Sequence, residues 1–411
     1  MKTLDQVEAR TPVDAGHTPG DANNQFIINT PGSYYLTGNI SGVSGKNGIS
    51  ITVDSVTLDL NGFALLGNSA SLNGINVPPA GANKVTVRNG AIRDWGSNGI
   101  FSIGALLVED IIVTNCGAIG IKTGDNSVIE RCSAIGNSTQ GNFSAGISVG
   151  NNSVISHCVA TANGGAGTTV AGIAGSTNSV ITYCVASQNT GSGIQTSNGC
   201  TIEHCTANLN RSQFGILVGS GCHVAHCVTR SNISTGSPSG GILTGDQSSV
   251  IDCVASSNST AVTGTISGST GSGINVGADS TVQHCTSAFN VGDGITATNR
   301  SLLSDNSASD NGAGAGDGAG IHVTGSGCRV ENNVVTQNDR GIEISGAGNI
   351  ILKNTARTNP ASGTSHNFVI AADNHYGPII NASVTPITAV DGSGTNSSTV
   401  VSTDPWANFS Y

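Results

Sequence analysis

The chain has 411 residues, 58 of them Gly, with 10% charged and 4% aromatic residues and a formal net charge of -10. An acidic chain repels nucleic acid and anionic membrane surfaces, so neither is expected as a partner. No apolar run approaches the roughly eighteen residues that a membrane span needs, and Met1 is followed by Lys2-Thr3-Leu4-Asp5-Gln6, which lacks the apolar core of a signal peptide.

Gly, Asn, Ser and Thr alternate with short Val/Ile runs, which predicts many short strands and tight turns. Residues 1–48 read as an N-terminal segment and cap. Larger apolar residues (Tyr34, Tyr35, Phe63) mark the first strands between Phe26 and Leu66. Residues 49–360 carry a repeat. Glu130-Arg-Cys-Ser-Ala-Ile-Gly-Asn137, Ser156-His-Cys-Val-Ala-Thr-Ala-Asn163 and Thr182-Tyr-Cys-Val-Ala-Ser-Gln-Asn189 align without gaps. Further copies centre on Cys205, Cys227, Cys253 and Cys285, and later ones place Asn306, Asn333 and Asn354 where the Cys stood.

A variable loop and a Gly-Ile pair follow each copy, as at Gly146-Ile147, Gly294-Ile295, Gly320-Ile321 and Gly341-Ile342. A copy spacing of about 21 to 32 residues without helical periodicity is that of a solenoid. It predicts an all-β, single-domain right-handed parallel β-helix, with three short strands per coil and roughly a dozen coils. Residues 361–411 lose the repeat and read as a C-terminal cap or tail.

Period-2 alternation assigns faces. The Ile of Gly-Ile, the Cys/Asn position, the residue two after it and the Asn five after it point inward. The inward Asn bonds backbone at a bend, and Cys fills the same place as a small, readily buried side chain. The eleven cysteines therefore read as buried reduced thiols, because stacked parallel side chains suit neither disulfide torsion nor tetrahedral metal ligation.

The residue just before the Cys position points outward. Coil by coil it is Arg131, His157, Tyr183, His204, His226, Asp252, His284 and Asp305. His204, His226 and Asp252 would suit a divalent metal (Ca, Zn or Cu) if they converge. His157, Tyr183 and His284 are candidate binding residues. The bland alternative is an outward polar row covering backbone at a bend.

A second constellation lies at the late Gly-Ile strands. His322 and Glu343 face outward there, and nearby loops bring Asp293, Asp317, Asp339 and Arg340. A His and carboxylates on adjacent coils would suit acid/base chemistry, with His322, Glu343, Asp317, Asp339 and Arg340 as candidate catalytic residues. The alternative is ordinary solvated charge, with Asp before Gly as a turn former.

Lys2-Thr-Leu-Asp-Gln-Val-Glu, Pro31-Gly-Ser-Tyr-Tyr-Leu-Thr-Gly-Asn, Val56-Thr-Leu-Asp-Leu-Asn-Gly-Phe, Tyr376-Gly-Pro-Ile and Asp404-Pro-Trp-Ala-Asn-Phe carry a resemblance that runs over nearly the whole chain. The chain resembles the secreted bacterial right-handed parallel β-helix repeat proteins of the pectate-lyase-like superfamily. The resemblance implies export, with a signal peptide preceding the Lys2 segment. Family members mostly lack an assigned activity, while the wider superfamily holds lyases, hydrolases and epimerases of acidic polysaccharides. Asn-Thr-Asp, Asp-Asp, Gly-His-Gly and Arg-Ile-Lys, the signatures of pectin-hydrolase-like members, do not occur, so no catalytic residue carries over.

Two functions stay open. One is a secreted polysaccharide-active protein that binds, and as a lyase or glycoside hydrolase cleaves, an extracellular polysaccharide. The other is a non-catalytic surface rod with a structural or adhesive role.

Overall fold

The computed structural model describes residues 10–78, 84–137, 145–165, 170–211, 213–234, 239–260, 270–312, 318–361, 364–381 and 404–411. The chain divides into two compact units, residues 1–210 and 211–411. Among the described residues both contain strands and no helix, so none is long and apolar enough to cross a membrane. The all-β parallel β-helix expected from the repeat is what forms. Each full turn contributes one strand to each of three parallel ladders.

The Gly-Ile strands build the first ladder. In the first unit Ile49, Ile75, Ile100, Ile121, Ile147, Ile173 and Ile194 pair in register and are fully buried. In the second unit Ile216 pairs with Ile242, which pairs with Ile274, and Ile295, Ile321 and Ile342 continue the column. Branched side chains pack well on a pleated surface, and each buried one contributes about 1.5–3 kcal/mol. The other two ladders follow within the same turn. Val128–Glu130 pairs with Val154–Ser156, and Ser133–Ile135 with Val159–Thr161. Their inward residues are Ile129 and Ile155 in one ladder, and Ala134 and Ala160 in the other.

Two buried polar columns close the bends. Asn163 shows how. Its Oδ1 accepts the backbone N–H of Asn137 at 3.0 Å and the Asn137 Nδ2 at 3.2 Å. Its Nδ2 donates to the Ala134 carbonyl and to Asn189 Oδ1, each at 3.0 Å. Asn258, Asn290, Asn311, Asn338 and Asn359 repeat the pattern in the second unit. The Gly before each Ile makes room for this column. A Cβ at Gly320 would lie 2.7 Å from the Asn338 Nδ2.

The second column starts as Cys and ends as Asn. The sulfur does more than fill space, because it takes part in the same bonding. Cys158 Sγ accepts the Cys132 N–H at 3.4 Å, where Asn306 Oδ1 accepts the Cys285 N–H at 2.9 Å. All eleven cysteines are buried and none is in a disulfide, and burial pushes the Cys116 thiol up to about 12. Burial withholds these side chains from solvent, in keeping with the expectation of buried reduced thiols.

The outward residue before each Cys sits in the left-handed backbone region, from φ 51° at Arg131 to φ 54° at His157 and φ 52° at Asp252. Non-Gly residues are uncommon there. The ladder stabilises the strained position, since the His157 N–H donates to the Thr182 carbonyl at 3.1 Å. The row is thus a consequence of turning the chain sharply, whatever else it does.

Among the described residues the first ladder strand in the chain is Arg10–Pro12, which pairs with Gly32–Tyr35. At the other end Phe368–Ile370 joins the first ladder, His375–Tyr376 the second and Asn408–Ser410 the third. Asn408 also continues the Cys/Asn column, accepting the Asn354 N–H at 3.0 Å.

Candidate functional site

The corner row behaves differently in the two units. In the first, Arg131 is held by Asp110 at 2.8 Å and by Glu109 and Glu130. His157, Tyr183 and His204 form a flat stack, with ring centroids 5.0 and 4.8 Å apart and planes within 10°. Tyr183 is 54% exposed. Because the ring faces meet one another, the stack offers solvent mainly ring edges and hydrogen-bonding atoms. In the second unit His226 Nδ1 lies 3.9 Å from Asp252 Oδ2, and both side chains are exposed. His284 is exposed at the same corner with φ 53°.

Of the metal trio, His204 belongs to the first unit, and His226 and Asp252 belong to the second. Among the described residues no group of three or more His, Cys, Asp or Glu is arranged to hold a metal ion. Within the second unit the corner offers one side chain per coil, which does not supply a full ligand set.

The first unit also has a cleft of about 250 Å³ between Asn68, Ser69, Asp94, Trp95, Asn115 and the glycines beside them. Asp94 is its one ionisable side chain, which gives it no acid/base pair.

The convergent chemistry lies on the first ladder of the second unit. The register pairs Thr296 with His322 and His322 with Glu343, so the three stand in one outward row, as period-2 alternation predicts. Asp293 precedes Gly294. At the matching position other turns carry small residues such as Ala145, Ala171, Ser272 or Ala319. Asp293 departs from them, and its side chain is only 1% exposed. It is not the solvated turn former that Asp-Gly suggests. Its Oδ1 accepts the Ala319 N–H at 2.7 Å, and its Oδ2 accepts the Thr296 hydroxyl at 3.2 Å. That same Oδ2 lies 3.0 Å from His322 Nδ1. A buried carboxyl group is costly without such partners, and here each oxygen has one.

His322 is bonded on both sides. Its Nε2 lies 3.0 Å from the Oγ of Ser345, an exposed residue just beyond the strand Arg340–Ile344. Burial disfavours the imidazolium most strongly, but the Asp293 hydrogen bond and charge, with the Glu343 charge, outweigh it and raise the His322 pKa above 6.5.

Glu343 does not bond His322. Its Oε2 takes the Arg340 guanidinium at 2.8 Å. Asp339 is half-buried, with its N–H donating to the Asn311 carbonyl at 3.2 Å. Asp317 lies outside the described residues, as do the loop segments 138–144, 235–238 and 261–269 that carry much of the variable length between Asn and Gly-Ile.

His322 and Glu343 face outward, as period-2 alternation predicts. Ser345 is not among the residues expected from the sequence, and Asp293 is expected there as loop charge. Both left a signal. Ser345 is two residues beyond Glu343, so the same alternation carries it outward, diagonal to His322. Asp293 is an acid where the turns at Ser272 and Ala319 on either side hold a small buried residue.

Residues 247–359, which contain this whole constellation, match the family described as right handed beta helix region. The coil is therefore right-handed there, as expected. No curated protein matches the chain. Solved structures give remote similarities. The A-module of the mannuronan C-5 epimerase AlgE4 of Azotobacter vinelandii is 15% identical, covering 84% of this chain and 87% of its own, with TM-score 0.40. The periplasmic alginate epimerase AlgG is 10% identical, covering 90% and 82%, with TM-score 0.38. The Dettilon tailspike protein is 12% identical, covering 86% and 61%, with TM-score 0.33.

Proposed function

We propose that the chain is a polysaccharide-active β-helix protein that works outside the cytoplasm, with His322 as its proton-transfer group. The observation that carries this reading is the position of His322 between a buried Asp293 and an exposed Ser345. A carboxylate only accepts hydrogen bonds, so Nδ1 carries the hydrogen in the neutral ring and Nε2 is left as the base. Against the opposing effect of burial, the hydrogen bond and charge of Asp293 raise the pKa above the ordinary imidazole value, so the ring takes up a proton more readily than a free histidine does.

The surrounding face suits a long, flat ligand. Leu217, Leu243, Asn275, Thr296, His322, Glu343 and Val369 form one outward row on consecutive strands. Thr296 is itself buried, so an extended glycan would lie over its half-buried neighbours Asn275, His322 and Glu343 and present one substituent to His322. Export rests on the family resemblance of the Lys2 segment. The paired-carboxylate chemistry of glycoside hydrolases is less well supported. Asp293 is buried with both oxygens engaged, and Glu343 is held by Arg340.

The test is product formation from a panel of acidic and neutral polysaccharides. Wild-type protein is expected to release products, and His322→Ala to lose about two orders of magnitude or more in rate while binding changes little. Undiminished turnover by His322→Ala, or a panel that gives neither binding nor products, would overturn the reading.

A further inference from the structure

We infer that Ser345, His322 and Asp293 form a nucleophilic triad that hydrolyses carboxylic esters carried on a glycan. The inference rests on the proposed role of His322 and adds the nucleophile and the bond broken. Nucleophile, base and orienting acid must form a chain of hydrogen bonds, whatever their order in the sequence. Here Ser345 Oγ lies 3.0 Å from His322 Nε2, and His322 Nδ1 lies 3.0 Å from Asp293 Oδ2.

The three residues come from three consecutive turns. Asp293 precedes the strand Ile295–Ala297, His322 lies in Ala319–Val323, and Ser345 follows Arg340–Ile344. The rigid ladder holds them in place. Asp293 is fixed by the Ala319 N–H and the Thr296 hydroxyl, so its Oδ2 faces the imidazole. Ser345 itself is tied to the ladder by its N–H, which donates to the Val323 carbonyl at 2.9 Å. Its hydroxyl is the one member of the chain that is exposed, as a nucleophile must be.

The reaction balances with water as the only co-reactant. Ser345 Oγ bonds to the ester carbonyl carbon, and its proton passes to His322 Nε2. The ester C–O bond breaks, and the departing sugar oxygen takes that proton. Water then attacks the acyl-serine, giving its proton to Nε2, which returns it to Ser345 Oγ. The products are a free glycan hydroxyl and a carboxylic acid.

Ser345 is exposed just past the end of its strand. That favours a small acyl group, such as acetyl, pendant on a polymer that is itself bound along the outward row. Glycosidic cleavage needs two carboxyl groups flanking one bond, whereas this constellation has one carboxyl group, buried behind the imidazole.

The test uses the full chain, a fluorophosphonate probe, and O-acetylated xylan and O-acetylated alginate as substrates. The probe is expected to label Ser345, read by peptide mass spectrometry, and acetate release is expected to fall about a thousand-fold or more in Ser345→Ala and in His322→Ala. Ser345 is exposed, so Ser345→Ala is expected to fold, checked by circular dichroism. Loss of products in His322→Ala, with unchanged rates in Ser345→Ala and no Ser345 label in wild type, would overturn the nucleophile and leave His322 as a general base. Unchanged rates in both variants, or no ester hydrolysis with no labelling, would overturn the triad, and rates unchanged in both variants would also overturn the proposed role of His322.

Discussion

Asn163→Ala is expected to destabilise the first unit by about 3–5 kcal/mol, because it strands several buried polar groups at once. The Asn137 N–H loses its acceptor, and the Ala134 carbonyl loses its donor. Both lie in the buried bend, where water cannot replace the missing partner without a cavity large enough to hold it. The side-chain bonds to Asn137 and Asn189 go as well.

The neighbouring column supplies a sharper comparison. There a sulfur accepts the same kind of N–H, as Cys158 does from Cys132 at 3.4 Å. Asn163→Cys is therefore expected to cost clearly less than Asn163→Ala. Val185→Thr, at a residue 39% exposed, serves as a control expected to stay within about 0.5 kcal/mol. Denaturant unfolding followed by far-UV circular dichroism measures all three. Equal losses for Ala and Cys would show that the sulfur bonds carry nothing.

The second large effect is expected at Asp293. Asp293→Asn keeps the size of the side chain but removes its charge, and a fall in turnover of about 100- to 10,000-fold is expected. The cause is the tautomer. An amide can donate to Nδ1, which moves the imidazole hydrogen to Nε2 and leaves no base facing Ser345.

The same substitution acts on the His322 pKa. Burial still opposes the imidazolium, but the Asp293 charge that outweighed it is gone, so the pKa falls. A histidine NMR titration reads this directly. The ascending limb of the pH–rate profile, which in wild type rises through the raised pKa because the neutral ring is the base, shifts to lower pH. Stability responds in step. In the wild type the folded state holds the His322 proton more tightly than the unfolded chain does. The resulting stability is fully present below about pH 6.5 and is lost as pH rises through the folded value. In Asp293→Asn that gain at low pH disappears.

The repeat could be read from the chain because the buried Ile and Asn columns of the coil each keep one chemistry. Ile recurs at Ile147, Ile173 and Ile194, and Asn at Asn137, Asn163 and Asn189, since stacked positions meet identical surroundings turn after turn. The exposed corner was legible because it directly precedes the Cys/Asn position, although only three-dimensional geometry shows His157, Tyr183 and His204 closing into a ring stack.

The site was harder to read because it depends on departures from the repeat. Asp293 looks like a turn residue until its burial is seen. Ser345 lies past its strand, where alternation alone gives a direction and no partner. Register explains the rest: His322 pairs with Glu343 by strand position, while its hydrogen bond goes to the diagonal neighbour Ser345.

The most direct measurement is a crystal structure of Ser345→Ala soaked with an O-acetylated oligosaccharide. The account predicts sugar lying across the outward row at His322 and Glu343, with an acyl carbonyl beside the vacated hydroxyl position and within hydrogen-bond reach of His322 Nε2. Sugar bound solely at the His157–Tyr183–His204 stack, with the His322 face bare, would contradict it.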